Sequence, residues 1–268
     1  SSLVGSEMCI RDSINYLQEK YPPTLASPFD TGKIGLQFGS PNSEIKRIMI
    51  ALDGSSNVID EAIQKKVDLL ITHHPFLFNA MLSMDYETPF GKKMLNVFDH
   101  RLNIYAMHTN FDVAKDGMND ILAKMLELEN IHAVKEDIDG SCFLRMGNIK
   151  PMTLLDFSKK VIERLKLDGA RVIGDKDKMI TKVGIVGGGG SGDLFNAIFH
   201  KCDCFITGEI RHNHALDAID YNIAIIEVNH DVESRFKMVL QKELFDVFES
   251  ENIEILVSEV ETSPFWRI

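Results

Sequence analysis

A chain of 268 residues, 44% hydrophobic and 26% charged, has the composition of a globular protein built as one large domain or two smaller ones. Its formal net charge of −11 argues against a nonspecific nucleic-acid binder, which needs a basic surface, but leaves room for a nucleotide held through a metal. No apolar run approaches the ~18 residues of a membrane-spanning helix. Four scattered cysteines (Cys9, Cys142, Cys202, Cys204) make no disulfide framework and read as reduced thiols of a cytoplasmic protein.

Residues 1–13 lack the basic and apolar regions of a secretory signal and read as a non-native or disordered leader. Residues 14–21 form a short amphipathic helix stopped by Pro22-Pro23. A glycine-punctuated loop and short strand follow over residues 27–39. Residues 46–52 are a strand, 57–66 a helix, and the apolar run from Val67 a second strand, so the three make a βαβ unit with parallel strands. A helix over residues 92–100, a strand over 102–107 and a helix over 118–126 continue the rhythm. From about residue 127 to 179 short alternating segments flank one helix at 154–165. Strands at 181–186, 202–207 and 223–228 then alternate with helices at 192–200 and 212–219, and a helix over 232–248 and a strand over 253–257 close the chain. Strand–helix order thus occurs twice. We expect an α/β fold of two related lobes, although no sequence repeat demonstrates a duplication. The first lobe takes residues 14–128 and is completed by 224–268; the second takes 129–223.

The chemistry gathers at carboxyl ends of strands, where open α/β sheets place their ligands. The strand from Val67 ends in His73-His74-Pro75, the next in His108-Thr109-Asn110-Phe111-Asp112, and the strand over 223–228 in Asn229-His230-Asp231-Val232-Glu233. On a regular strand adjacent histidines point to opposite faces, but a proline-containing turn relaxes that alternation. Singly, each residue has a structural explanation. His108 fits a core histidine, Asp112 a helix cap or a turn with Asn110, and Glu233 a first-turn acid favoured by the helix dipole. Together, four imidazoles and two carboxylates suit a pair of divalent ions. His230 and Glu233, three apart, share a face if a helix has begun there. Glycines 187–190 with Ser191-Gly192, between strand and helix, read equally as a phosphate cradle or as a tight turn packed against the site.

These motifs resemble the NIF3-like family, whose bacterial members are often labelled GTP cyclohydrolase I type 2 homologues. The resemblance runs through Ser27-Pro28-Phe29-Asp30, Gly35-Leu36-Gln37-Phe38-Gly39, His73-His74-Pro75, His108-Thr109-Asn110-Phe111-Asp112, the glycine run, Thr207-Gly208-Glu209, His230-Asp231-Val232-Glu233 and Thr262-Ser263-Pro264-Phe265. It implies two related α/β lobes with a dinuclear metal site in the cleft between them, in the short form without an extra middle domain. It implies as metal ligands His73, His74, Asp112, His230 and Glu233, with His108 close by as a further ligand, and assembly into a ring-shaped homohexamer. The chain departs from the pattern where Arg211-His212-Asn213-His214 follows Thr207-Gly208-Glu209, and where Asn229 replaces a frequent glycine. Asn229 suits a left-handed backbone, and Asp231 competes with Glu233 for the carboxylate role.

Two function classes follow. One is a metal-dependent hydrolase, in which two cations activate water for attack on a phosphate or a ring carbon of a nucleotide, and His108 or Glu233, where not ligated, moves protons. The other is a non-catalytic metal-binding scaffold, store or chaperone. Mixed nitrogen and oxygen ligands suit zinc, manganese, iron or nickel.

Overall fold

The computed structural model describes residues 8–134, 142–261 and 263–265, which form two compact units. The first unit takes its described residues from Ser1–Ala114 and Lys237–Pro264, the second from Lys115–Phe236 and Phe265–Ile268.

The first unit opens with α1 (Ile10–Lys20), whose buried Ile10, Ile14 and Leu17 recur at helical spacing. The helix reaches into the segment expected to be a leader. Met8 and Ser13 are buried and Ile10 N–H donates to Ser43 O at 2.9 Å, so the expectation of disorder fails for residues 8–13; residues 1–7 lie outside the described ones. There follow β1 (Gly35–Phe38), β2 (Arg47–Ala51), α2 (Ser56–Gln64), β3 (Leu69–Thr72), α3 (Pro89–Asp99), β4 (Asn103–Ala106) and the five-residue α4 (Thr109–Val113). Strands β2, β3 and β4 are parallel neighbours and β1 pairs antiparallel with β4. All four residues of β3 are fully buried, as a strand covered on both faces requires. Met49, Leu70 and Ile104 of adjacent strands meet Val58, Ile59 and Ala62 of α2 and Met94 and Val97 of α3 in one core.

The second unit contains α5 (Met118–Met125), β5 (Glu129–Ala133), β6 (Arg145–Thr153), α6 (Leu154–Arg164), β7 (Arg171–Ile173), β8 (Met179–Val186), α7 (Leu194–Phe199), β9 (Cys204–Thr207), α8 (His212–Asp220) and β10 (Ala224–Glu227). Its strand order is β5-β6-β8-β9-β10-β7, with β8, β9 and β10 parallel. Strand β6 is longer than the sequence suggested because it continues through Pro151, which cannot donate to a ladder; its register with β8 shifts between Asn148 and Met152.

The chain then returns to the first unit with α9 (Phe236–Val247) and β11 (Glu254–Val257), which pairs in parallel with β2 and completes the order β1-β4-β3-β2-β11. The unit boundaries differ from those drawn on the sequence. Strand β10 bonds to β9 and β7, so residues 224–236 belong to the second unit. Residues 115–128 join it as well, since Asn119 of α5 donates to Phe143 O and accepts from Gly187 N–H.

The two units share a local design. In the first, the Asp68 carboxylate accepts from the N–H groups of Lys46 and Arg47 at 2.8 Å each, and Arg47 donates to Lys65 O at the end of α2. In the second, Asp203 accepts from Thr181 and Lys182 N–H groups, and Lys182 donates to His200 O at the end of α7. Lys66 and Lys201, with φ of 53° and 56°, make the same left-handed helix exit. Cys9, Cys142, Cys202 and Cys204 are free thiols, and burial pushes that of Cys202 up to about 12. Among the described residues no helix is long and apolar enough to cross a membrane.

Candidate metal centre

Strands β2, β3 and β4 end in step, with Ala51, Thr72 and Ala106 in one row. The residues that follow, Asp53, His73, His74 and His108, therefore leave the sheet at one carboxyl edge. Both histidines of the His73-His74 pair come together there because the strand stops at Thr72 and Pro75 turns the chain. The ring centroids of His73 and His74 lie 5.1 Å apart, His73 and His108 5.3 Å, and His74 and His108 5.7 Å. One nitrogen from each ring lies within 4.8 Å of the others, a grouping that could hold a metal ion.

Asp112 enters from α4, which starts directly after β4 as Phe111 and Asp112 N–H groups donate to His108 O. Its Oδ1 lies 3.5 Å from His73 Nε2, with both side chains largely buried. Asp112 is thus neither a cap of α5, which has no side-chain cap, nor the partner of Asn110. Asn110 instead accepts from His108 N–H and donates to Tyr21 O.

Carboxylates that sequence reasoning did not single out hold the histidines. Asp53 Oδ1 lies 2.7 Å from His74 Nδ1, and Asp30 Oδ2 lies 2.7 Å from His108 Nδ1. Such a partner keeps the ring proton on Nδ1 and makes Nε2 the ligating or proton-accepting nitrogen. Burial pushes the Asp30 carboxyl up, but hydrogen bonds from His108 and Thr109 outweigh it and hold the group below the usual carboxylate range. The signals for these residues were present but unspecific: Asp30 closes the opening motif and Asp53 follows β2 at the same edge.

The second unit carries its own pair. Val186, Thr207 and Glu227 form the last row of β8, β9 and β10, and beyond it lie the glycine run, Glu209 and His230. His230 Nδ1 lies 3.0 Å from Glu209 Oε1, and His230 Nε2 lies 3.3 Å from Glu233 Oε2. Residues His230–Arg235 form a 3₁₀ turn instead of the α-helical start expected, and three residues per turn eclipse positions i and i+3. That geometry brings the buried Glu233 carboxylate to the His230 ring. Asn229 has the positive φ anticipated, 69°, but its ψ of 152° lies outside the left-handed helical basin, in a region glycine occupies almost alone.

The glycine run packs against this pair. A Cβ on Gly188, at φ 55°, would lie 2.3 Å from Glu233 Oε1, and one on Gly208 would lie 2.5 Å from Gly188 O. Gly187 N–H donates to Asn119 and Glu209 N–H to Gly188 O, while α7 starts only at Leu194 and has six residues. Of the two readings of this run, close packing is the one built here. His214 Nδ1 lies 2.8 Å from both Ser191 Oγ and Ser191 O, tying α8 to the loop, whereas His212 is exposed.

The family profile described as Duf34/NIF3 (NGG1p interacting factor 3) matches residues 8–264. A GTP cyclohydrolase 1 type 2 homolog of Clostridium acetobutylicum is 33% identical over 266 residues, covering 96% of this chain and 97% of its own. One of Streptococcus pneumoniae is 30% identical over 240 residues, covering 87% and 91%. Among solved structures, Staphylococcus aureus hypothetical protein SA1388 superposes with a TM-score of 0.90 at 29% identity, covering 98% of this chain and 100% of that one. The resemblance carried by the motifs is therefore real, and this chain belongs to the Duf34/NIF3 family.

Proposed function

We propose that the protein is a metal-dependent hydrolase acting on a nucleotide or another phosphate-containing small molecule. Two divalent cations would be held by His73, His74, Asp112, His230 and Glu233, with His108 as a further ligand or as the group that moves a proton. The observation that carries this reading is the set of three imidazoles at one sheet edge, their nitrogens within 4.8 Å, beside the buried Asp112. The donor set fits: mixed imidazole and carboxylate ligands suit zinc, manganese, iron or nickel. Bound cations would supply Lewis acidity and lower the pKa of a water molecule. The residues do the rest. Asp53 and Asp30 fix the ring orientation of His74 and His108. The names of the relatives, GTP cyclohydrolase 1 type 2 homolog, support a nucleotide as substrate.

The same ligands would serve a metal store or scaffold, and turnover separates the two. The first measurement is metal content by elemental analysis for the wild type, Asp112→Ala and His74→Ala. About two ions per chain, lost or halved in the variants, is the expected result; a wild type that stays metal-free after reconstitution ends the proposal. Hydrolysis of nucleoside triphosphates by the loaded protein then selects the hydrolase over the store. We also propose the ring-shaped homohexamer that the family resemblance implies, which light scattering tests against the 30.2 kDa of a single chain.

A further inference from the structure

Lys33 stands beside the histidine cluster in an unusual setting. Its ammonium lies 3.9 Å from the ring centroid of Phe78 and 5.3 Å from that of Phe29. Both rings stand edge-on to His108, at 6.2 and 6.1 Å. Phenyl faces hold a cation by their quadrupole without consuming its N–H donors. Among the described residues, the only carboxylate near it is Asp30, at 3.9 Å, beyond hydrogen-bonding distance. The other oxygen of Asp30 already receives His108 Nδ1, Thr109 Oγ1 and Thr109 N–H. Among the described residues no acceptor lies within hydrogen-bonding reach of the Lys33 ammonium, whose side chain is 21% exposed.

The position is also braced. Gln37 donates to Lys33 O and to Leu77 O and accepts from Leu77 N–H, joining the loop that carries Phe29 and Lys33 to the loop that carries Phe78. A lysine on a mobile loop would lose rotamer freedom on capturing an anion; here part of that cost is met in advance. In a chain of net charge −11, Lys33 is a pinned cation that, among the described residues, meets no hydrogen-bond acceptor and stands next to candidate metal ligands.

We propose that Lys33 is the residue that recognises the anionic part of the substrate, a phosphoryl group, at the entrance to the histidine cluster. The proposal rests on the hydrolase reading above for the identity of the site, but its test is separate. Phe29 and Phe78 position the ammonium; Lys33 donates to the phosphoryl oxygens.

The test is calorimetric titration of the metal-loaded protein with GTP and with inorganic triphosphate at two salt concentrations, for wild type, Lys33→Met and Lys33→Arg. Lys33→Met should keep its metal content and bind both probes about tenfold more weakly, the factor expected for one charge-assisted hydrogen bond. Its binding should also depend less steeply on salt, and Lys33→Arg should recover most of the affinity. Equal affinity of Lys33→Met and wild type overturns the proposal, as does a metal-loaded wild type that binds neither probe. If binding depends on Lys33 and nothing is hydrolysed, the hydrolase reading falls and this one stands. If GTP is hydrolysed and Lys33→Met binds it as the wild type does, the reverse holds.

Discussion

Asp30 shows how much of a site rests on side chains that touch no ligand. Replacing it with asparagine keeps the shape but removes the charge that orients the His108 ring. With the two-ion site we propose, Asp30→Asn should weaken metal affinity about tenfold, the usual scale for a buttressing carboxylate. Competition with a chromogenic chelator measures this, and an unchanged affinity would remove His108 from the ligand set. Asn229 makes a second prediction at this scale. Its φ of 69° with ψ of 152° costs an asparagine about 1–3 kcal/mol. Asn229→Gly relieves that strain at about 0.5–1 kcal/mol in unfolded-chain entropy, so urea titration should find the variant more stable by about 1 kcal/mol. The histidines and Asp112 were legible because their types, spacing and strand-end positions coincide. Asp30 was not, because it meets His108 across 78 residues of sequence and no local pattern encodes that pairing.

Among the elements, the glycine turn after β8 leaves no room for a side chain at Gly188 or Gly190. Gly188→Ala would drive a methyl group into the Glu233 carboxylate, so we expect a folded protein that has lost the metal we propose Glu233 to hold. Elemental analysis showing wild-type metal content in that variant would place Glu233 outside the ligand set. Helix α2 has a different dependence. Its buried Glu61 accepts from Lys65, Ser258 and Glu259, fastening α2 to the segment that follows β11. Burial pushes this carboxyl up, and the hydrogen bonds with the Lys65 charge bring it below its ordinary 4.5. A lowered folded-state pKa means stability that is present above about pH 4.5 and lost as pH falls through the folded value. Glu61→Gln should therefore cost about 1–3 kcal/mol at neutral pH, and the difference should shrink under acid, as urea midpoints at the two pH values will show. The βα rhythm was readable from apolar runs and turns. The repeated local design was not, because its matched residues lie far apart in sequence and the helix ends are held by different types: Arg47 in one unit and Lys182 in the other, whereas the aspartates Asp68 and Asp203 and the lysines Lys66 and Lys201 match.

For the whole molecule, bound metal should act as a stabiliser, since a ligand that binds only the native state raises the melting temperature with its concentration. Chelation should lower the melting temperature of the wild type and leave that of Asp112→Ala nearly unchanged; equal shifts in both would place the effect elsewhere. The two-lobed plan was legible in the double recurrence of strand–helix order, but its boundaries were not, because a strand's partner is chosen by hydrogen bonding and not by its place in the chain. Strand β10 illustrates this by pairing with β9 and β7.

The first unit is discontinuous: β11, at residues 254–257, pairs with β2, at residues 47–51. During synthesis the ribosome must deliver the entire second unit before that sheet acquires its outermost strand. The second unit, almost all one uninterrupted stretch, is free to finish early. Until the last segment emerges, the nascent first unit exposes the open backbone edge of β2, a surface on which another strand can dock. A chain released before β11 would carry its histidine cluster on a sheet whose β2 edge is still open to pairing with a foreign strand.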